Sequence, residues 1–226
     1  IVKKNSHLMY DETYKKSGAI GTPKRAHNHA LSSAVAHMEL GVLTADDKTF
    51  RKAFKNFEAA IKYSRKDGSL PIETRRGGRA MFYSARAMNV LAVIAMIAEN
   101  QGYDIWEYNH KGKDFHNVVK FFIDALENQE LIYQYAKESI FPGPAKDYKK
   151  QDLKFKKSSN WGWFYAYATR FPDHENIKRI KKWSENDSEL NPYQYKIVRH
   201  YKNIGKVPFT SATWSVVQPN CHSVKK

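Results

Sequence analysis

The chain has 226 residues, enough for one domain with a sizeable core, and its 42% hydrophobic content excludes a disordered composition. A formal charge of +15, from 38 Lys and Arg against 23 Asp and Glu, predicts attraction to polyanions: nucleic acid, anionic membrane or acidic polysaccharide. The single cysteine, Cys221, excludes an internal disulfide and argues against a zinc–thiolate site, and no uninterrupted run of 18 apolar residues is present to cross a bilayer.

Residues 1–24 read as a polar, extended lead-in with a Gly/Pro-containing run from Gly18 to Pro23. The chain opens on Ile1 rather than Met, which leaves room for an upstream segment such as a leader. Residues 25–184 read as a helical domain. A first helix is predicted from His27 to about Val42, with Leu31, Val35, Met38 and Val42 at helical spacing. Thr44 to Asp47 reads as an N-cap with an acidic first turn. The single helix it opens carries Phe50, Phe54, Phe57 and Ile61 on one face and runs until Asp67-Gly68 ends it.

Ser69 to Gly78 is predicted to be an irregular connector, since Gly77-Gly78 permits backbone geometry that other residues avoid. Arg79 to Glu99 reads as a long helix, apolar nearly all round after Met88 and therefore buried on several sides. Further helices are predicted over Phe115–Asn128, Glu130–Lys137, Trp161–Arg170 and His174–Trp183. A basic Pro/Gly-containing loop, Phe141 to Lys157, separates the second and third of these. Residues 185–226 read as an extension packed on the domain, with a β-branched strand or tail pattern over 206–217. Helix alternating with turn suggests a bundle or a helical array, the α/α toroids included.

Two stretches carry the candidate chemistry. Arg25-Ala-His-Asn-His29 sets an amide beside an imidazole at a helix start, and Glu73-Thr-Arg-Arg-Gly-Gly-Arg79 leads into Tyr83. Asn28, His29, Arg76 and Tyr83 together offer a pair able to neutralise a carboxylate, a base and a phenolic acid. Each has a plainer reading: Asn28 as a helix cap, His29 as a first-turn residue, the arginines as a solvated loop, Tyr83 as a boundary residue. His27 and His29 form a His-x-His pair, but no acidic third ligand lies nearby, so no metal is expected. The aromatic run Trp161-Gly-Trp163-Phe-Tyr-Ala-Tyr167 suits either core or a ligand-stacking groove. Hydrolase and zinc-protease signatures are absent, as is a Walker motif. No nucleic-acid reader motif is present and the cations are scattered, so neither nucleic acid nor membrane is expected as a partner.

These residues carry a resemblance. The chain resembles the alginate lyase family (polysaccharide lyase family 5 and its relatives) through Asn28-His29, the Asp67-Gly-Ser-Leu-Pro-Ile-Glu73 run, Arg75-Arg76, Arg79-Ala80 and Tyr83. The intervals agree with the family's pattern: 47 residues from His29 to Arg76 and 7 from Arg76 to Tyr83. Arg170-Phe-Pro-Asp-His174 is similar to a C-terminal element of the family, so the resemblance spans roughly residues 25–182. Two departures stand out. The family's Asn-Asn-His-x-Tyr-Trp is His27-Asn28-His29-Ala30-Leu31-Ser32 here, and Arg86 stands where a neutral helix residue is expected.

The resemblance implies an all-α, incomplete (α/α) toroid and β-elimination at a uronic acid, most readily in mannuronate-rich alginate, without metal or cofactor. Asn28 and Arg76 would neutralise the carboxylate, His29 or Tyr83 would remove the C5 proton, and Tyr83 would protonate the departing O4. The flanking residues His27, Arg75, Arg79, Trp161 and Trp163 are expected to line the substrate path. Family members carry further helices ahead of the Asn-His element. Their absence here implies either a C-terminal portion or a toroid completed by a missing N-terminal segment of the same protein. An acidic polysaccharide partner and a periplasmic or secreted location follow from the same reading. The alternatives are a lyase of glucuronan or another polyuronate, and a non-catalytic helical domain that binds polyanions.

Overall fold

Helix α1 (Asn28–Leu43) buries Leu31, Ala34, Val35 and Met38, spaced three and four apart along one stripe. This stripe packs against the long helix α5 (Ala80–Asn100), which holds the centre of the core. The computed structural model describes residues 26–138, 147–153 and 162–186, and among these there is no β-strand. The lead-in 1–24, Trp161, most of the Phe141–Lys157 loop and nearly all of 185–226, with its 206–217 pattern, lie outside the described residues.

The predicted helix over Phe50, Phe54, Phe57 and Ile61 is two helices, α2 (Asp47–Arg51) and α3 (Phe54–Lys62). Lys52 and Ala53 keep right-handed helical dihedrals, but Ala53 N–H donates to Phe50 O and Asn56 N–H to Ala53 O. The turn is thus tightened to three-residue bonding without changing the apolar face. The cap of α2 is Asp46, which accepts from the Thr49 N–H at 3.1 Å. Thr44 is not available for that role, because its hydroxyl donates back to Leu40 O at 2.7 Å and closes α1. Helix α3 ends at Lys62, several residues before the expected stop at Gly68. Gly68 instead makes a close approach between segments. With φ of +91° it lies against the backbone of Asn117, where a Cβ would come 2.0 Å from the carbonyl oxygen.

The connector contains order: a one-turn helix α4 (Pro71–Thr74) and a 3-10 turn (Gly77–Arg79) that runs directly into α5. By length and composition, the stretch Gly77–Asn100 is apolar enough to cross a membrane; most of it is buried against other helices. Around α5 stand α1, α4, α6 (Phe115–Glu127), α7 (Glu130–Ala136) and α8 (Gly162–Arg170), with α9 (Glu175–Asn186) on the outer side of α6. Trp106 ties the far end together. It is fully buried, its indole N–H donates to Glu99 at 3.0 Å, and Phe115 and Phe171 pack on its ring. Arg170 donates to Asp104 at 2.8 Å, so the Arg170–His174 element fastens α8 to the end of α5.

Candidate active site

The site forms where the first turn of α1, α4, the 3-10 turn and the first two turns of α5 converge. Its geometry begins with a helix end that does not cap itself. His27 occupies the N-cap of α1 and makes no side-chain cap bond. Asn28 is therefore the first helical residue rather than the cap. Its backbone N–H donates to Glu73 Oε1 at 2.8 Å and its side-chain Nδ2 donates to Glu73 Oε2 at 3.2 Å. Both residues are 0% exposed. A carboxylate 45 residues away in sequence thus satisfies a helix N-terminus, where the backbone dipole favours negative charge.

Glu73 is held by a preorganised segment. Pro71 starts α4, Leu70 and Ile72 are buried, and Thr74 Oγ1 donates to Leu70 O at 2.9 Å. Arg65 donates to Ser69 and Thr74 from the preceding turn, and its guanidinium lies 3.9 Å from the Tyr135 ring centroid. Arg76 follows one turn later. Its Nη2 stands 3.7 Å from Glu73 Oε2, and its guanidinium carbon lies 4.5 Å from the Tyr83 ring centroid. Arg76 thereby joins the buried carboxylate to the phenol. The turn that aims it is pinned from elsewhere. Gln151 Nε2 donates to Gly77 O at 3.1 Å, its Oε1 accepts from Met81 N–H at 3.0 Å, and Asp152 N–H donates to Gly78 O at 2.6 Å. Gly77 takes φ of +56°, a conformation for which glycine is suited.

Protonation states follow from these contacts. Burial first, then the positive charge on Arg76 and Arg86, lowers His29 below the ordinary imidazole value, so the basic form prevails near neutrality. His27 is only 3% exposed, and burial, reinforced by His29 and Arg76, brings it to about 3. Burial raises Glu73 above the usual carboxylate range. Arg76, the Asn28 N–H and Arg86 pull the other way, and burial prevails. Among the described residues no cluster of three or more His, Cys, Asp or Glu is placed to hold a metal.

The expected residues separate into those brought together and those set apart. Asn28, Arg76 and Tyr83 are linked through the contacts above, but Asn28 is completely buried, so it stands behind Arg76 rather than open to a substrate carboxylate as expected. His29 is exposed on the same first turn as Asn28, its ring 5.9 Å from that of His27. Arg79 is half-buried at the head of α5. Arg75 is drawn onto Glu138 at 2.6 Å, so its charge is already matched within the protein. Trp163 corrects the expectation of a substrate-stacking ring: it is 0% exposed, packed edge-on against Phe122 and Phe164. His27 is corrected similarly, from a substrate contact to a buried neighbour of His29. Trp161 lies outside the described residues. Sequence reasoning missed Glu73 as a site residue. Its signals were its place at the head of a run of arginines and at the end of the Asp67-Gly-Ser-Leu-Pro-Ile-Glu73 run.

With this geometry in hand, comparison with known proteins is decisive. The alginate lyase family model matches residues 8–132. The chain belongs to the alginate lyase family. Among its relatives, an alginate lyase of Pseudomonas aeruginosa is 33% identical over 159 residues, covering 70% of this chain and 40% of the relative. A polysaccharide lyase of Stenotrophomonas maltophilia is 25% identical over 150 residues, 66% of this chain and 40% of that protein. The crystal structure of alginate lyase A1-III from Sphingomonas species A1 superposes with a TM-score of 0.59 at 26% identity, covering 71% of this chain and 43% of that one. A tyrosine-to-phenylalanine variant of A1-III complexed with a tetrasaccharide gives a TM-score of 0.60 at 27% identity, covering 70% and 42%. The all-α array is thus part of the family's α/α toroid. This chain spans about 40% of the length of the Pseudomonas aeruginosa and Stenotrophomonas maltophilia relatives, and its match to the Pseudomonas syringae lyases covers 23% of theirs.

Proposed function

We propose that the protein is a polysaccharide lyase that cleaves an acidic polyuronate, mannuronate-rich alginate first among them, by β-elimination. The observation that carries this reading is the linked set Asn28–Glu73–Arg76–Tyr83, with a neutral, exposed His29 on the adjoining turn. Family membership supports lyase chemistry, and the net charge of +15 favours an acidic polymer.

In this mechanism the uronate carboxylate meets Arg76, and the buried Asn28 amide behind it adds its dipole, so that together they stabilise the negative charge that grows as C5 loses its proton. The base removes the C5 proton, and its bonding electrons form the C4–C5 double bond. The C4–O4 bond breaks, and Tyr83 delivers a proton to the departing O4. In mannuronate the C5 proton and O4 lie on one side of the ring, so Tyr83 serves both steps: His29 first takes the phenolic proton, the phenolate removes the C5 proton and passes it to O4, and His29 then returns the phenolic proton. In guluronate they lie on opposite sides and His29 is the base. The carboxylate is handled by fixed cations and dipoles of the protein, and each proton has a named donor or acceptor. We further propose a periplasmic or secreted location, testable by cell fractionation.

The test is ultraviolet absorbance during incubation with polymannuronate, polyguluronate, glucuronan and hyaluronan, because elimination creates a double bond conjugated to the carboxylate. A rise on polymannuronate, abolished in Tyr83→Phe while polymer binding persists, is the expected result. Binding without any rise on the four polymers, both by this chain and by a longer protein that completes the toroid, would replace the lyase with a polyanion-binding domain.

A further inference from the structure

We propose, building on the lyase reading, that Glu73 is a positioning residue for the elimination: its buried carboxylate sets the plane of the Asn28 amide and the reach of Arg76 together. The two groups that neutralise the substrate carboxylate come from separate elements, α1 and the 3-10 turn, and Glu73 bonds both. Oε1 takes the Asn28 backbone N–H at 2.8 Å; Oε2 takes the Asn28 side-chain N–H at 3.2 Å and faces Arg76 Nη2 at 3.7 Å. Among the described residues the Asn28 amide has no other hydrogen-bond partner, its buried Oδ1 receiving none. Glu73 alone therefore dictates which way that amide faces. A carboxylate can do this because it accepts at both oxygens, whereas a carboxamide of the same shape presents a donor at one of them.

A negative charge beneath an anion-binding site opposes substrate binding. Its burial at 0% exposure, inside a segment locked by Pro71, Leu70 and Thr74, is intelligible if orientation is what it supplies. Ionised, Glu73 holds one hydrogen of Asn28 Nδ2 and so fixes the direction of the other, the remaining donor of that amide. Replaced by Gln, it keeps the bond to the Asn28 backbone through Oε1. Its Nε2 then meets Asn28 Nδ2 and Arg76, donor against donor, so the Asn28 amide turns over and Arg76 is released.

The experiment is steady-state kinetics on polymannuronate for the wild-type chain, Glu73→Gln, Asn28→Ala and the double variant. Glu73→Gln should lower kcat at least tenfold with KM changed less than threefold, because the misplaced groups act most strongly on the developing charge. In the double variant the part of the loss that runs through Asn28 should vanish and only the part that runs through Arg76 remain, so the combined loss should fall clearly below the product of the two single losses. Multiplicative losses would show an independent, structural effect and overturn the proposal. A wild-type chain that forms the double bond while Glu73→Gln keeps kcat within twofold sinks the proposal alone. A wild-type protein that forms none on any polyuronate, this chain and a longer one that completes the toroid alike, sinks the lyase reading and this proposal with it. Should Glu73→Gln not fold, the wild-type protein decides: by NMR, the Asn28 side-chain amide must shift with the midpoint of the Glu73 carboxyl carbon. An amide indifferent to that titration overturns the proposal.

Discussion

Replacing Arg76 with Ala should destabilise the protein in a way that depends on pH, with a ceiling set by Glu73. Removing one member of a buried ion pair costs about 3–5 kcal/mol when the remaining charge has no escape. Glu73 has one, because it can take up a proton. At pH 7, protonating a carboxyl with a reference pKa of 4.5 spans 2.5 pH units, about 3.4 kcal/mol at roughly 1.4 kcal/mol per unit. That is the ceiling for the unpaired charge. The 3.7 Å separation and the remaining bonds from Asn28 bring the expected cost to about 2 kcal/mol. Loss of the guanidinium from the Tyr83 ring adds about 0.5–1 kcal/mol.

The sign follows from linkage. The folded-state pKa of Glu73 is raised by burial, and Arg76 holds it lower than it would otherwise be. Without Arg76 it rises further, so the variant loses stability relative to wild type as pH climbs through the wild-type value. In acid, Glu73 is protonated in both proteins and only the stacking loss remains. Urea denaturation of both proteins from pH 4.5 to 8 measures this directly. A difference that is flat across the range, or below about 1 kcal/mol at pH 7, would refute a buried carboxylate compensated by Arg76.

Gly68→Ala should cost about 3 kcal/mol or more, since it combines φ of +91° with a Cβ 2.0 Å from Asn117 O; a thermal midpoint within a degree or two of wild type would contradict that contact. Glu39 is raised to about 7 by burial, so its charge opposes folding increasingly as pH rises from 4.5 through 7. Glu39→Gln should therefore gain about 1–2 kcal/mol at pH 8, allowing for its partial exposure, and almost nothing at pH 4.5, as read by chemical denaturation. Arg86 is one of the charges that lower His29. If His29 is the base, Arg86→Ala should raise its pKa and move the acid limb of kcat/KM on polyguluronate to higher pH; an unmoved limb would remove His29 from that role.

What could be read before the structure, and what could not, divides by range. The stripe Leu31, Val35, Met38 and the series Phe50, Phe54, Phe57, Ile61 are local periodicities, and both fall on helices. The break at Lys52–Ala53 left no mark, because both residues keep helical dihedrals and only the hydrogen bonding tightens. Thr44 and Asp46 are both cap-forming types, Asp the stronger, and Thr44 is further removed from the role by turning back on Leu40. In the site, the residue types of Asn28, His29, Arg76 and Tyr83 suggested the chemistry. Their connection through Glu73 spans 45 residues and lies inside the protein, where no spacing rule reaches. Trp163 was misread because a dense aromatic run looks alike whether it fills a core or lines a groove; only its complete burial against Phe122 separates the two.

The short segment carrying Gln151 and Asp152 has a consequence for anyone transplanting this chemistry. Its bonds to Gly77, Gly78 and Met81 hold the Arg76 turn from more than 60 residues away. A graft of residues 73–83 onto another helical scaffold would carry every reactive group of that stretch and still lose its aim. The minimal portable unit is discontinuous: the start of α1, the stretch from Ser69 to Tyr83, and the strap at 147–153. Conversely, Gln151 offers a remote tuning position, where one substitution would loosen the arginine turn without touching a reacting atom.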